Sequence, residues 1–240
     1  MMRVLVSFFL MALFCSCTKK STAMPVNNPP VDTTGAPASD TTRTYLALGD
    51  SYTIGQSVAM AERFPAQTTA LLKQMGIRMA EPRYIAQTGW TTLSLQNAIS
   101  SQAPPSTYDL VSILIGVNDQ YQGMDTGLYA MRFTRLLEKS IELAKGKRSH
   151  VFVLSIPDYS VTPFVPAVDK ERVRKEVDLF NAINKRITIA YNVSYTDITP
   201  STREGATNSA LIAFDHLHPS GLEYKKWADM LAPKMKAALQ

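Results

Sequence analysis

Two stretches of this chain, DLVSILIG at 109–116 and HVFVLSI at 150–156, are apolar at almost every position. A strand with one wet face alternates apolar and polar residues, whereas a strand without alternation must be covered on both faces. These stretches are therefore expected as central strands of a parallel sheet, and parallel neighbours need crossover helices between them. The rest of the chain supplies the pieces. Further strands are expected at TYLALG (44–49), RYIA (83–86) and NVSYTDI (192–198). One helix opens at Phe64-Pro65, with proline in its first turn, and ends at Gly76. A second, capped by Asp125, runs to Gly146. A third covers 169–191, where Val173, Val177, Phe180, Ile183 and Ile187 recur at helical spacing. A last helix follows Ser220. This alternation implies an α/β fold, a three-layer α/β/α sandwich around a mostly parallel five-stranded sheet with right-handed crossovers. No internal repeat is visible.

The chain has 240 residues, 45% hydrophobic and 19% charged, which suits one globular domain, expected over 43–240. Its formal charge of +5 is spread out, and the densest basic cluster, KGKRS at 145–149, has no interleaved aromatics. It reads as a solvated loop, and no nucleic-acid partner is expected. The N-terminus differs in kind. Arg3 precedes the apolar run VLVSFFLMALF, too short to span a bilayer as a mature helix. Both cysteines, Cys15 and Cys17, follow it, so the folded part can hold neither a disulfide nor a cysteine zinc site. Residues 1–17 resemble a bacterial lipoprotein signal, with Cys17 as the lipidated residue. Phe14 stands where a small aliphatic residue is commoner, and ordinary secretory cleavage nearby is the alternative. Residues 18–42 are rich in Pro, Thr, Ser and Asn and read as a flexible tether. The expectation is an exported monomer of the periplasm or outer membrane, held to the membrane by its lipid.

Ligands of open parallel sheets bind in loops beyond the carboxyl ends of the strands. Four such loops carry chemistry-bearing residues. Gly49-Asp50-Ser51-Tyr52 follows the first strand, AQTGWTT with Gly89 the second, and Gly116-Val117-Asn118-Asp119 the third. FDHLHPS, with Asp215, His216, His218 and Pro219, precedes the last helix. Together they supply what acyl transfer needs: a hydroxyl nucleophile, an imidazole base, a carboxylate to orient it, and donors for an oxyanion. There is no GxSxG elbow and no phosphate-binding GxxxxGK[ST].

The set GDSY, Gly89, GVND and DHLHP, in this order from about Thr44 to the C-terminus, resembles the SGNH (GDSL) hydrolase family. The resemblance implies a flavodoxin-like three-layer fold and hydrolysis of esters, thioesters or O-acyl groups without a cofactor. It implies Ser51 as nucleophile, His218 as general base and Asp215 as its orienting acid. It also implies an oxyanion hole built from the Ser51 and Gly89 backbone N–H groups and the Asn118 side chain. Two departures stand out. Tyr52 replaces the usual leucine and is expected to pack rather than react, and the DxxHP motif contains an extra histidine, His216. Asp215, His216 and His218 also have metal-ligand chemistry, but no distant third or fourth ligand accompanies them, and no metal is expected. Asp50 and Asp119 read as structural partners within their loops.

Pocket candidates are Trp90, Tyr121 and Phe214, with Ile54, Gln122, Tyr159, Phe164 and Leu217 around them. The loop at 157–169, with three prolines, is expected to wall one side. This mixed aromatic and polar rim suits a short acyl group, such as acetyl, on a carbohydrate or other small ester. A lysophospholipase or thioesterase with the same residues is the alternative, and a non-catalytic glycan-binding envelope protein is a third reading.

Overall fold

In the computed structural model, which describes residues 41–240, five strands form one sheet in the order β2-β1-β3-β4-β5 with every pair parallel. They are β1 (Tyr45–Gly49), β2 (Arg83–Ala86), β3 (Leu110–Leu114), β4 (Val151–Leu154) and β5 (Ser194–Thr196). The sheet expected as mostly parallel is thus wholly parallel. The expected signal segment, Cys17 and most of the tether lie outside the described residues. The unalternating strands are the central ones: every residue of β1, β3 and β4 is buried. β5 is shorter than the expected 192–198. The Ser155 side chain takes over there, accepting the N–H groups of Ile198 at 2.8 Å and Thr199 at 3.1 Å in place of a ladder.

The helices are α1 (Ser51–Ile54), α2 (Phe64–Gln74), α3 (Thr92–Gln102), α4 (Val117–Tyr121), α5 (Thr126–Leu143), α6 (Lys170–Ala190), α7 (Thr199–Arg203) and α8 (Gly221–Leu239). They cover both sides of the sheet: α2 packs on α8, and α5 packs on α3 and α6. The expected caps are in place, with Asp125 accepting from Leu128 N–H and Ser220 from Glu223 N–H. α3 has no counterpart among the expected helices. Its sequence TLSLQNAISSQ has a weak apolar stripe, with only Thr92, Leu95 and Ile99 buried. Among the described residues no helix is long and apolar enough to cross a membrane.

The strand order decides where a ligand can sit. From β1 the chain crosses outward to β2, then returns past β1 to β3 and continues the other way. The crevice where such an order reverses lies beyond the carboxyl ends of β1 and β3, which are direct neighbours here. The loops carrying Ser51 and Asn118 both start there.

Phe64 is wholly buried between α2 and α8, with its ring 5.9 Å from that of Trp227 and 6.3 Å from that of Tyr224. Phe64→Ala should cost about 3–5 kcal/mol, read as a lower urea midpoint with an unchanged slope.

Candidate active site

β1 delivers Ser51 through a tight exit. A Cβ on Gly49 would overlap the Thr53 side chain and the Leu114 carbonyl, so only glycine allows β1 to approach β3 so closely. Asp50 then caps α1, its Oδ1 accepting the Tyr52 N–H at 3.0 Å. Ser51 is the first residue of α1 and is only 4% exposed.

The second part is one short loop. An antiparallel bridge between Ile212 and Pro219 closes it, and His216 turns it with a left-handed φ of 61°. Inside the turn, Asp215 Oδ1 accepts the N–H groups of Leu217 at 3.0 Å and His218 at 2.9 Å. Its other oxygen, Oδ2, accepts His218 Nδ1–H at 2.6 Å and Ser57 Oγ–H at 2.6 Å. With Nδ1 carrying the proton, His218 Nε2 is an acceptor, and it lies 2.9 Å from Ser51 Oγ. The structure thus joins Ser51, His218 and Asp215 in one chain, and adds Ser57. No motif marks Ser57. It follows Gly55 by two positions, takes a left-handed φ of 69°, and meets a partner 158 residues away. His216 stays out of the chain and is exposed. Tyr52 packs its ring on His218, centroids 5.0 Å apart, and burial pushes its hydroxyl well above the usual tyrosine range.

The third part comes from the loops after β2 and β3. Gly89 has φ 79° and open space where a Cβ would stand, so its backbone faces the cleft uncovered. Two ties hold this loop to α4. Asn118 Nδ2 donates to the Trp90 carbonyl at 3.0 Å, and Asp119 accepts the Thr92 N–H at 2.9 Å and its hydroxyl. The Asn118 amide carries two hydrogens, and the Trp90 bond uses one. Asp119 is a structural clamp, as its position in GVND suggested.

A cleft of about 620 Å³ lies over Ser51, Tyr52, Gly89, Asn118 and His218, walled by Tyr121, Tyr159, Phe164 and Leu217. Gln56 and Thr88, hydrogen-bonded to each other, close another side, and no sequence signal marked them. The 157–169 loop does contribute a wall. Of the three foremost pocket candidates, Tyr121 lines the cleft and the other two do not. Trp90 packs on the core, because the turn at Gly89 carries the chain into the start of α3. Phe214 is 80% exposed on the outside of its loop. Ile54 and Gln122 are also absent from the lining. Among the described residues no cluster of His, Cys, Asp or Glu is placed to hold a metal ion.

Fold and site together define a class: an open parallel sheet presenting a serine–imidazole–carboxylate chain at its reversal crevice. The chain belongs to the GDSL-like lipase/acylhydrolase family, whose model matches residues 47–226, and it is a carboxylic ester hydrolase of that family. Solved structures share the fold. TesA is 15% identical with a TM-score of 0.64, covering 82% of this chain and 99% of its own. The psychrotrophic esterase EstA from Pseudoalteromonas sp. is 19% identical with a TM-score of 0.60, covering 82% and 98%. The acetylxylan esterase Axe2 from Geobacillus stearothermophilus is 20% identical with a TM-score of 0.61, covering 80% and 94%. No curated protein matches the chain in sequence.

The carboxyl group beside the serine gives a pH test. Burial pushes Asp50 up to about 8, against the backbone bonds from Tyr52 and from its own N–H, and the nearby Asp119 adds to the rise. A carboxyl group whose folded-state value is raised contributes stability that is complete below its unfolded value, about 3.9, and lost as pH rises through the folded value. Asp50→Asn lacks that loss. The melting temperature of Asp50→Asn minus that of the parent should therefore climb between about pH 5 and pH 8. A difference that stays flat across thermal melts in that range would contradict a protonated Asp50.

Proposed function

We propose that the protein is a serine ester hydrolase that removes short acyl groups, such as acetyl, from carbohydrate or other small esters. The observation that carries this reading is the hydrogen-bonded chain Ser51 Oγ–His218 Nε2 at 2.9 Å and His218 Nδ1–Asp215 Oδ2 at 2.6 Å, at the floor of an open cleft. Ser51 Oγ attacks the ester carbonyl carbon while its proton passes to His218 Nε2. The carbonyl oxygen becomes an oxyanion, held by the Ser51 and Gly89 N–H groups and by the second hydrogen of Asn118 Nδ2. Collapse expels the alcohol, which takes the proton from His218. Water then repeats the sequence on the acyl-serine and releases the acid.

Asp215 suits the orienting role. Burial raises its pKa, but the bonds from Ser57, the His218 N–H and ring, and Leu217 outweigh this and hold it down at about 2. It is thus a fixed negative charge beside an imidazole that turns positive in each half-reaction. Export and lipidation at Cys17 belong to this proposal and rest on the N-terminal sequence alone. An anchored enzyme on a tether of about 25 residues would meet esters at the cell envelope.

A panel of p-nitrophenyl esters from acetate to palmitate tests the reading. Turnover should be highest on the short chains and fall by roughly 10⁶ in Ser51→Ala. Turnover that survives this change sinks the assignment, and a preference for chains of eight carbons or more moves it to a lysophospholipase or thioesterase. Ser57→Ala removes one hydrogen bond to the ionised Asp215, a loss of about tenfold or more. That loss should fall on kcat with KM little changed, because Ser57 does not line the cleft. A change confined to KM would contradict its positioning role.

A further inference from the structure

We propose that the cleft continues over an aromatic ridge into a second groove that holds the sugar chain of an acylated oligosaccharide. The inference rests on the ester-hydrolase reading and adds to it a substrate class, an ester whose alcohol is a glycan longer than one sugar.

The second groove, of about 600 Å³, is lined by Gln120, Asp169, Arg172, Val173 and the segment Val165-Pro166. It shares Tyr121, Tyr159 and Phe164 with the cleft above Ser51, so those three side chains form a ridge between two depressions of similar size. Tyr159 is the base of the ridge, buried, with its hydroxyl donating to Gln120 Oε1 at 2.8 Å. Tyr121 and Phe164 are its crest. Their rings lie 6.3 Å apart, yet Tyr121 is 61% and Phe164 47% exposed. Two large rings left open beside a catalytic cleft are a ready surface for something flat and partly apolar.

The polar lining decides what that is. Gln120 is fixed at both ends, accepting from Tyr159 and donating from Nε2 to Glu176 at 2.7 Å. Arg172 is steered by Asp169 at 2.9 Å and Glu176 at 3.2 Å, on the first turns of α6. A guanidinium carries five donors, and a carboxylate accepts several bonds. An acyl chain seated here would cover these groups without returning a hydrogen bond, which is costly. A pyranose ring offers both halves of the match: C–H faces for the aromatic crest, and hydroxyl edges for Arg172 and Asp169. The acylated sugar then sits over Ser51, and the next sugars cross the ridge.

The test uses the full chain with Ser51→Ala, which binds without turnover. Its affinity is measured for xylo-, cello-, manno- and chitotriose beside their monosaccharides. At least one trisaccharide should bind about tenfold more tightly than its monomer, and that gain should disappear in Tyr121→Ala and in Arg172→Ala, the loss of one charged hydrogen bond in the latter case. Far-UV circular dichroism checks that both variants fold. The groove assignment is overturned if no trisaccharide outbinds its monomer, or if the gain survives both substitutions. It is also overturned if Arg172→Ala alters the response to lengthening the acyl group from acetate to decanoate and leaves that to lengthening the sugar. Parent turnover of p-nitrophenyl acetate is read in parallel. Its absence overturns the hydrolase reading alone, since trisaccharide binding still decides the groove.

Discussion

The site turns on one oxygen. Asp215 Oδ2 accepts two hydrogen bonds of 2.6 Å, one from His218 Nδ1 and one from Ser57 Oγ. Followed round, the contacts run from Ser51 to His218, to Asp215, to Ser57, and so back to the segment that contains Ser51. The C-terminal loop is therefore clamped to the exit of β1 at two points, and neither side can shift without straining the other. Both ends of the clamp use left-handed backbone at non-glycine residues, Ser57 and His216. Such conformations persist only where surrounding contacts over-determine them, and here the four bonds on one carboxylate are those contacts.

Asp50, Asp119 and Asp215 show how the same side chain takes different charges around one cleft. All three are pushed up by burial. Asp215 has enough donors to reverse that push and remains ionised. Asp119 has the Thr92 N–H and hydroxyl and its own N–H as donors, with Arg132 nearby, and burial still keeps it raised. Asp50 accepts the Tyr52 N–H on Oδ1 while its buried Oδ2 has no partner, and burial raises it to about 8. A neutral Asp50 adds no negative field beside the serine, where the proposed mechanism forms an oxyanion. The charge that remains faces the imidazole, the group that the proposed mechanism makes positive. The different charges thus follow from how deeply each carboxyl is buried together with how many donors it meets.

Much of this was legible in the sequence where the signal was local. β3 and β4 announced themselves by the absence of alternation, the loops holding Ser51 and Asn118 by residue types at strand ends, and Asp215 and His218 by the DHLHP motif before the last helix. What escaped was what depends on the packed chain. α3 carries too few apolar residues to show a stripe, and its start is fixed by Asp119 of α4. Ser57 is an ordinary serine until folding brings Asp215 to it. Trp90 looked like a substrate contact because it adjoins Gly89. The positive φ at Gly89 and the entry into α3 put the ring on the core and leave its carbonyl to hold Asn118.

Tyr52, the departure from the family motif, shows how such a change can be absorbed. Its ring packs on His218 and lines the cleft above Ser51. With the aromatic ring in place, His218 is only 4% exposed, and its ring is bounded by Tyr52 as well as by Asp215. The imidazole can then rotate little without breaking a bond or meeting a wall. The burial that keeps the Tyr52 hydroxyl protonated makes this residue a spacer and not a second acid or base. The orientation of the imidazole proposed as base is thus set from two sides, by the Asp215 carboxylate at Nδ1 and by the Tyr52 ring packed on it.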